Sequence, residues 1–112
     1  MEIEQNLRTS LLLEFYGELL TKKQRDTLKL FLDDNLSLSE IASMFSTTRQ
    51  AICDLVRRTE KILENYEEKL QLLGNYEIIR SKIEKGLSLL QNESGRNVER
   101  AKKEFQSILE VL

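Results

Sequence analysis

Residues 38–61 constrain the fold more than any other part of this chain. They read LSEIASMFSTTRQAICDLVRRTEK, two short amphipathic segments on either side of a polar turn at Ser46 and Thr47. In each segment the apolar residues recur at spacings of three and four, which predicts a helix. Two helices joined by a tight turn form a helix-turn-helix, whose second helix can lie in the major groove of DNA. The sequence therefore predicts this motif, with the rest of the chain as its scaffold.

The residue types inside the motif fit this prediction. Ala42 is small enough to let the two helices cross closely, and we expect four larger side chains to be buried beside it: Ile41, Phe45, Ile52 and Leu55. The turn residue is commonly a glycine, because the backbone becomes left-handed there. Ser46 stands at this position and can take the same conformation at a cost of about 1 kcal/mol. Thr47 and Gln50 form a T-x-x-Q pattern, which predicts that Thr47 caps the second helix.

Further helices are predicted on the N-terminal side of the motif. Residues 3–20 place six apolar side chains on one helical stripe: Leu7, Leu11, Leu12, Phe15, Leu19 and Leu20. Thr21 with Gln24, and Ser37 with Glu40, have the spacing of capping boxes, in which two side chains satisfy the free amides of a helix start. We therefore expect one helix to begin after Thr21 and the first helix of the motif to begin after Ser37.

The C-terminal part of the chain is also amphipathic. The stripe of the motif's second helix continues to Leu73, and Gly74 predicts the end of that long helix, since glycine tolerates a left-handed backbone. Another apolar stripe follows, and a turn is predicted at residues 92–95. The final helix is expected to bury six side chains: Val98, Ala101, Phe105, Ile108, Leu109 and Leu112.

The overall composition agrees with an all-α fold. The chain has no proline and only four glycines among 112 residues, so little interrupts its helices. This length favours a single domain. We predict one domain over residues 1–112, with a helix-turn-helix bundle resembling sigma region 4 over residues 1–61. A long recognition helix leads from it into a helical extension over residues 62–112.

Enzymatic chemistry finds little support in the sequence. There is no histidine, and the four glycines are isolated, so histidine-based sites and phosphate-binding loops are excluded. Cys53 has no histidine to act as its base, and a single cysteine suits a reducing cytosol. No apolar run is long enough to span a bilayer. We expect a cytoplasmic protein that is not an enzyme and has no catalytic residues, metal site or cofactor.

The outward residues of the second helix suit DNA recognition. Arginine matches the two major-groove acceptors of guanine and glutamine matches adenine, so Arg49 and Gln50 are candidate base readers. Thr48 lies where a helix N-terminus can hold a phosphate. Asp54 can accept from cytosine or pair with Arg58. The predicted DNA-contact residues are Thr48, Arg49, Gln50, Asp54, Arg57, Arg58 and Lys61.

The net charge limits the affinity of one copy for DNA. Residues 37–61 carry four basic and three acidic side chains, whereas the whole chain has a formal net charge of −2. Because phosphate contacts supply most non-specific affinity, a monomer should bind DNA weakly, and a homodimer is expected. The arginines of the second helix can also serve only to keep an exposed helix hydrated, and the sequence leaves that alternative open.

Three blocks of sequence resemble the YlxM family of small bacterial helix-turn-helix proteins. They read FYGELLTKKQ, LDDNLSLSEIA and TRQAICDLVRRTEKILENYEEKL, within residues 7–73. The T-K-K-Q run of the first block, and the L-S-L-S-E-I-A run followed by R-Q-A-I, are also similar to promoter-reading region 4 of bacterial sigma factors. The resemblance implies an all-helical, dimeric DNA-binding protein linked to the signal recognition particle. Thr47 and Cys53 depart from the family pattern, which has an aliphatic and an aromatic residue there.

Two functions remain open from the sequence. In the first, the protein is a DNA-binding regulator whose second helix enters the major groove. In the second, it is an adaptor or modulator of the signal recognition particle GTPase, or binds its RNA, with little or no DNA binding. In that case the charged helices of residues 62–112 would contact the partner.

Overall fold

The computed structural model describes residues 3–91 and 95–112, and within these ranges it contains only helices and their connections. The predicted all-α class is confirmed. The predicted turn at residues 92–95 falls mostly on residues 92–94, which lie outside the described ranges. The helices are α1 Ile3–Tyr16, a short 3-10 helix Gly17–Leu19, α2 Lys22–Leu32, α3 Leu38–Met44, α4 Arg49–Leu70, α5 Leu72–Leu90 and α6 Gly95–Val111.

The chain forms two compact units, Met1–Gln71 and Leu72–Leu112. The first unit contains α1 to α4, and the second contains α5 and α6. A single domain over residues 1–112 stays a prediction. No helix in the described ranges is long and apolar enough to cross a membrane.

Both predicted capping boxes are present and begin α2 and α3. The amide of Gln24 donates to the Thr21 hydroxyl at 3.2 Å, and the Thr21 amide donates to the Gln24 side chain at 3.0 Å. Ser37 and Glu40 make the same reciprocal pair at 3.0 and 3.1 Å. Two free amides are satisfied at each helix start, which fixes where the chain enters the bundle.

The buried face of α1 differs from the predicted stripe. Leu12 and Leu20 are buried as predicted, but Leu13 and Tyr16, which were not predicted, are buried as well. Leu7 is 62% exposed and Leu19 is 56% exposed. The α-helix ends at Tyr16 and the chain continues as a 3-10 helix, which has 3.0 residues per turn. This change of period puts Leu19 on a different side from the face that the sequence predicted.

Long-range contacts fasten α1 to the distal half of α4. Arg8 donates from Nε and Nη2 to the two carboxylate oxygens of Glu64, at 2.7 and 2.9 Å. The hydroxyl of Tyr16, which is fully buried, donates to Oε1 of Glu67 at 2.6 Å. The Tyr16 and Tyr66 rings also pack together, with centroids 5.9 Å apart. Together these contacts hold α4 against the bundle.

The end of α4 is not at Gly74, as the sequence predicted. Gln71 takes a left-handed backbone conformation, with φ 54° and ψ 31°, and α4 ends before it at Leu70. Gly74 instead lies inside α5. A left-handed conformation outside glycine costs about 1 kcal/mol, which the packing of the flanking residues can offset.

In the second unit α5 packs against α6 at a glycine. A Cβ atom added to Gly86 would overlap the ring of Phe105, so the two helices approach closely there. Lys85 and Glu104 form an ion pair at 3.2 Å beside this contact. Ala101 is buried as predicted, but Leu109 and Leu112 are 72% and 84% exposed.

Candidate nucleic-acid interface

The turn between α3 and α4 has the geometry of a Schellman motif. Ser46 is left-handed, with φ 54°, as the sequence predicted. The Thr47 amide donates to the carbonyl of Ala42 at 2.9 Å, and the Ser46 amide donates to Ser43 at 3.3 Å. These two bonds satisfy carbonyls at the end of α3 and fix the angle at which the chain enters α4.

Most of the predicted inward positions of the motif are buried. Ile41, Ala42 and Ile52 are buried, and Leu55 is half-buried. Phe45 is the exception, because it is 39% exposed. It is the residue at which α3 ends, with φ −97° and ψ 7°, so its side chain no longer follows the helical face that begins at Ile41.

The residue that caps α4 is Thr48 and not Thr47. The Thr48 hydroxyl accepts a hydrogen bond from the amide of Ala51 at 3.1 Å, and its backbone is extended. The prediction for Thr47 was wrong because its amide belongs to the turn, one residue too early for a cap. The Thr48 hydroxyl hydrogen is still available to donate to a phosphate oxygen.

The buried stripe of α4 determines which residues face outward. Ile52, Val56, Thr59 and Leu63 are buried at spacings of three and four. On the opposite side, spacings of four, three and four place four residues in one line along the helix: Gln50, Asp54, Arg57 and Lys61. All seven predicted DNA-contact residues are exposed: Thr48, Arg49, Gln50, Asp54, Arg57, Arg58 and Lys61.

The acidic residue on this face is hydrogen-bonded, whereas the basic residues are not, within the described part of the chain. Gln50 donates from its side-chain amide to Asp54 at 3.0 Å, so the glutamine and not Arg58 is the partner of that carboxylate. The exposed cations of α4's first half and centre form no hydrogen bond or ion pair with any residue in the ranges 3–91 and 95–112: Arg49, Arg57, Arg58 and Lys61. Arg49 lies toward the side of Val56, so the outward face itself has three cations and one carboxylate, which is a positive balance.

A groove of about 770 Å³ runs along one flank of α4, and we call it the α4 groove. Val56 and the half-buried Cys53 line it from α4, so Cys53 faces this groove. The sequence did not predict the groove, because the residues that line it come from four helices or their ends: Gln5, Phe31, Ser37, Leu38, Arg49, Gln50, Cys53, Val56, Arg57 and Glu60.

Glu60 is an unusual member of the α4 groove. Its Oε1 atom is buried and has no hydrogen-bond partner among the described residues. Burial raises the pKa of the Glu60 carboxyl, and the positive charge of Arg57 opposes this effect. The groove therefore contains a poorly hydrated carboxyl group beside an exposed guanidinium.

The fold and the turn geometry define a helix-turn-helix protein. The chain belongs to the family UPF0122, whose model, described as "Putative helix-turn-helix protein, YlxM / p13 like", matches residues 3–105. The description names no enzymatic activity.

Relatives at high identity have been assigned to the same family. The UPF0122 protein of Latilactobacillus sakei subsp. sakei (strain 23K) is 56% identical over 77 residues, which is 69% of this chain and 68% of the relative. The UPF0122 protein YofM of Lactococcus lactis subsp. lactis (strain IL1403) is 49% identical over 83 residues, 74% of each chain. The UPF0122 protein of Limosilactobacillus reuteri (strain DSM 20016) is 53% identical over 78 residues, 70% of this chain and 69% of the relative.

Proposed function

We propose that this protein is a cytoplasmic DNA-binding regulatory protein that places the N-terminal half of α4 in the major groove. The observation that carries the proposal is the outward face of α4, where the exposed cations Arg57, Arg58 and Lys61 lie opposite a buried apolar stripe, with Arg49 exposed in the first turn. A helix held in this way can enter a groove of about 12 Å in width without disturbing its own core.

The residues of this face divide into base readers and phosphate contacts. Arg49 and Gln50 stand in the first turn of α4, where recognition helices reach base edges. The bond from Gln50 to Asp54 uses one amide hydrogen, which leaves the second hydrogen and the oxygen of Gln50 to pair with adenine. Arg57, like Arg58 and Lys61, lies further along the helix and would contact phosphates.

The proposal is tested by selection from random DNA, followed by fluorescence anisotropy on the enriched sequence. Arg49→Ala should lower affinity by about tenfold to a hundredfold and relax the preference at one base pair, because a bidentate base contact is worth about 1–3 kcal/mol. Arg57→Ala should weaken binding to all sequences and reduce the slope of affinity against salt by about one. Lys69→Ala is the matched control, since it removes an exposed cation from the distal end of the same helix. No enriched sequence, or unchanged binding by both arginine variants, would refute the proposal.

We further propose that the protein acts as a homodimer, because one copy of a motif with this charge balance should bind weakly. The α5 helix carries exposed apolar side chains at helical spacing, suited to contact a second copy: Tyr76, Ile83, Leu87 and Leu90. Ile83→Glu should shift sedimentation equilibrium toward the monomer, whereas Ser88→Glu on the same helix should not. A wild-type monomer at all accessible concentrations would exclude the dimer.

A second candidate function is an adaptor for the signal recognition particle GTPase or its RNA. The net negative charge of the chain favours a protein partner over random DNA. The exposed apolar residues of α5 support the same candidate, because such patches commonly mark interaction surfaces. Purified GTPase and its RNA are mixed with the protein at micromolar concentrations, and failure to form a complex would count against this candidate.

A further inference from the structure

We propose that the α4 groove binds an acidic, amphipathic helical segment of a partner protein. The segment would insert a large apolar side chain into the groove and place carboxylates against Arg49 and Arg57. The site shares Gln50 and Arg57 with the outward face of α4, but it extends along the flank of that helix to residues of α2 and α3.

Part of the lining of the α4 groove is apolar, and we call this part its floor. Val56 is only 4% exposed, and Phe31 and Leu38 are half-buried around it. The groove is open to solvent, and its volume of about 770 Å³ leaves room for a large apolar side chain. Burying a leucine or phenylalanine here would remove apolar surface of both partners from water, which is favourable. The floor therefore selects a large apolar side chain.

The rim of the groove selects the charge of the segment. Arg49 and Arg57 are separated by eight residues, so they lie about 12 Å apart along the helix axis at 1.5 Å per residue. Both are exposed, and neither forms an ion pair within the part of the chain that the structure describes. Two carboxylates about two turns apart on an incoming helix would match this spacing and gain charge-assisted hydrogen bonds.

The lining of the groove argues for a protein segment and against nucleic acid. A DNA backbone has no apolar group that could cover Val56 and Phe31, and a phosphate placed against apolar surface is not compensated. Glu60 also lines the groove, so the carboxylates of the segment would have to lie on the solvent side of the arginines, away from this carboxyl group. An acidic rim contact combined with an apolar insert is chemistry that a peptide supplies and a DNA backbone does not.

Occupation of the groove would also affect DNA binding. Arg49 and Arg57 line the groove and belong to the predicted DNA-contact residues, so one copy of α4 cannot pair them with both ligands at once. This consequence rests on the proposed function, whereas peptide binding itself does not. A bound segment would act as a competitive inhibitor of DNA recognition.

The probe for this site is a displayed library of random peptides of about 16 residues, long enough for about four helical turns. The full chain is the target, and the double variant Arg49→Gln/Arg57→Gln, whose changes are confined to exposed side chains, is the counter-target. We expect enriched peptides that combine large apolar residues with Asp or Glu. No enrichment over the counter-target, or enrichment of basic peptides, would overturn the proposal.

Binding of an enriched peptide is then measured by anisotropy without DNA. Leu38→Ala should weaken binding by about fivefold or more, which corresponds to about 1 kcal/mol. Alkylation of Cys53, the single cysteine of the chain, should block binding because the added group would fill the groove. This modification leaves the Leu38 side chain in place, so it tests the site independently of Leu38→Ala. Lys69→Gln is the control for loss of a positive charge from α4. Equal binding by all these forms would place the peptide elsewhere and refute the site.

A final competition experiment adds the enriched peptide to the complex of the protein with its selected DNA. The peptide should release the DNA, and the concentration needed should rise in proportion to the free DNA concentration, as competition requires. Stable co-occupation would refute the competition. If peptides are enriched but no DNA sequence is, the groove stands and the proposed DNA-binding function fails. If DNA is enriched and peptides are not, the groove proposal fails alone.

Discussion

The side-chain amide of Gln50 donates a hydrogen bond to the carboxylate of Asp54, one turn further along α4, at 3.0 Å. Both residues are exposed on the outward face of the helix. The bond orients the amide that is proposed to read a base, and it also places a negative charge among the cations that would contact phosphates. Asp54 therefore has two opposing effects on DNA binding.

Asp54→Asn separates these two effects. The variant keeps the shape of the side chain and removes its charge, so we expect affinity for the selected DNA to rise by about threefold to tenfold, since a close like charge costs about 1 kcal/mol in an exposed setting. Anisotropy measures the change, with Glu68→Gln at the exposed distal end of α4 as the control. A loss of affinity confined to one base pair would instead mean that Asp54 accepts a hydrogen bond from cytosine.

Thr48→Ala should lower the free energy of unfolding by about 1 kcal/mol, the usual value of an N-cap hydroxyl. Thr47→Ala should change it much less, because the Thr47 contribution to the turn is a backbone amide that alanine retains. Urea denaturation followed by circular dichroism compares the two variants. A larger loss for Thr47→Ala would show that the cap lies one residue earlier than in this structure.

Thr27→Val should stabilise the protein by about 1 kcal/mol. The Thr27 side chain is buried, and its hydroxyl has no hydrogen-bond partner among the described residues, so its desolvation is not compensated. Thr59→Val is the matched control, since the equally buried Thr59 hydroxyl donates to the carbonyl of Leu55 at 2.7 Å. Thermal unfolding should give a higher Tm for the first variant and an unchanged or lower Tm for the second, and the reverse order would contradict the argument.

Glu60→Gln should stabilise the protein at neutral pH and not in acid. Burial raises the pKa of Glu60 above its ordinary value of 4.5, so the folded state binds this proton more tightly than the unfolded state. Stability is therefore lost as the pH rises from 4.5 through the folded pKa, and a neutral amide avoids that loss. We expect a gain in Tm of about 1–3 °C, a fraction of the shift that 1 kcal/mol produces in a domain of this size.

The test compares the Tm of the Glu60→Gln variant and the parent protein at neutral pH and at a pH well below 4.5. The difference should disappear at the lower pH, where Glu60 is protonated in both folded and unfolded chains. A constant difference at both values would mean that the amide acts through packing and not through charge.

Features decided by a few neighbouring residues were predictable from the sequence. The capping boxes at Thr21 and Ser37 and the left-handed Ser46 are examples, because each depends on local backbone bonds. The cap of α4 was misplaced by one residue, since the pattern Thr47-x-x-Gln50 does not reveal which threonine has its amide bonded within the turn. The exposure of the seven predicted DNA-contact residues agrees with the sequence analysis, and their contact with DNA stays a prediction.

Features decided by packing between distant segments were not predictable. The exposure of Leu19 follows the change to a 3-10 helix at Gly17, and the end of α4 depends on a left-handed Gln71 that no glycine marks. The α4 groove depends even more on packing between distant segments. Phe31 and Arg57 line it together although 26 positions separate them, and no periodicity in the sequence reports that they meet.

The pairing of Arg8 with Glu64, and of Tyr16 with Glu67, also sets an order of events during synthesis. The partners of α1 are separated from it by 56 and 51 positions, so α1 emerges from the ribosome well before the residues that hold it in place. Helix α1 can form these contacts only after most of α4 has been synthesised, and at about 5–20 residues per second this delay lasts several seconds. Until then the nascent chain exposes Leu12 and Tyr16, which are buried in the finished protein.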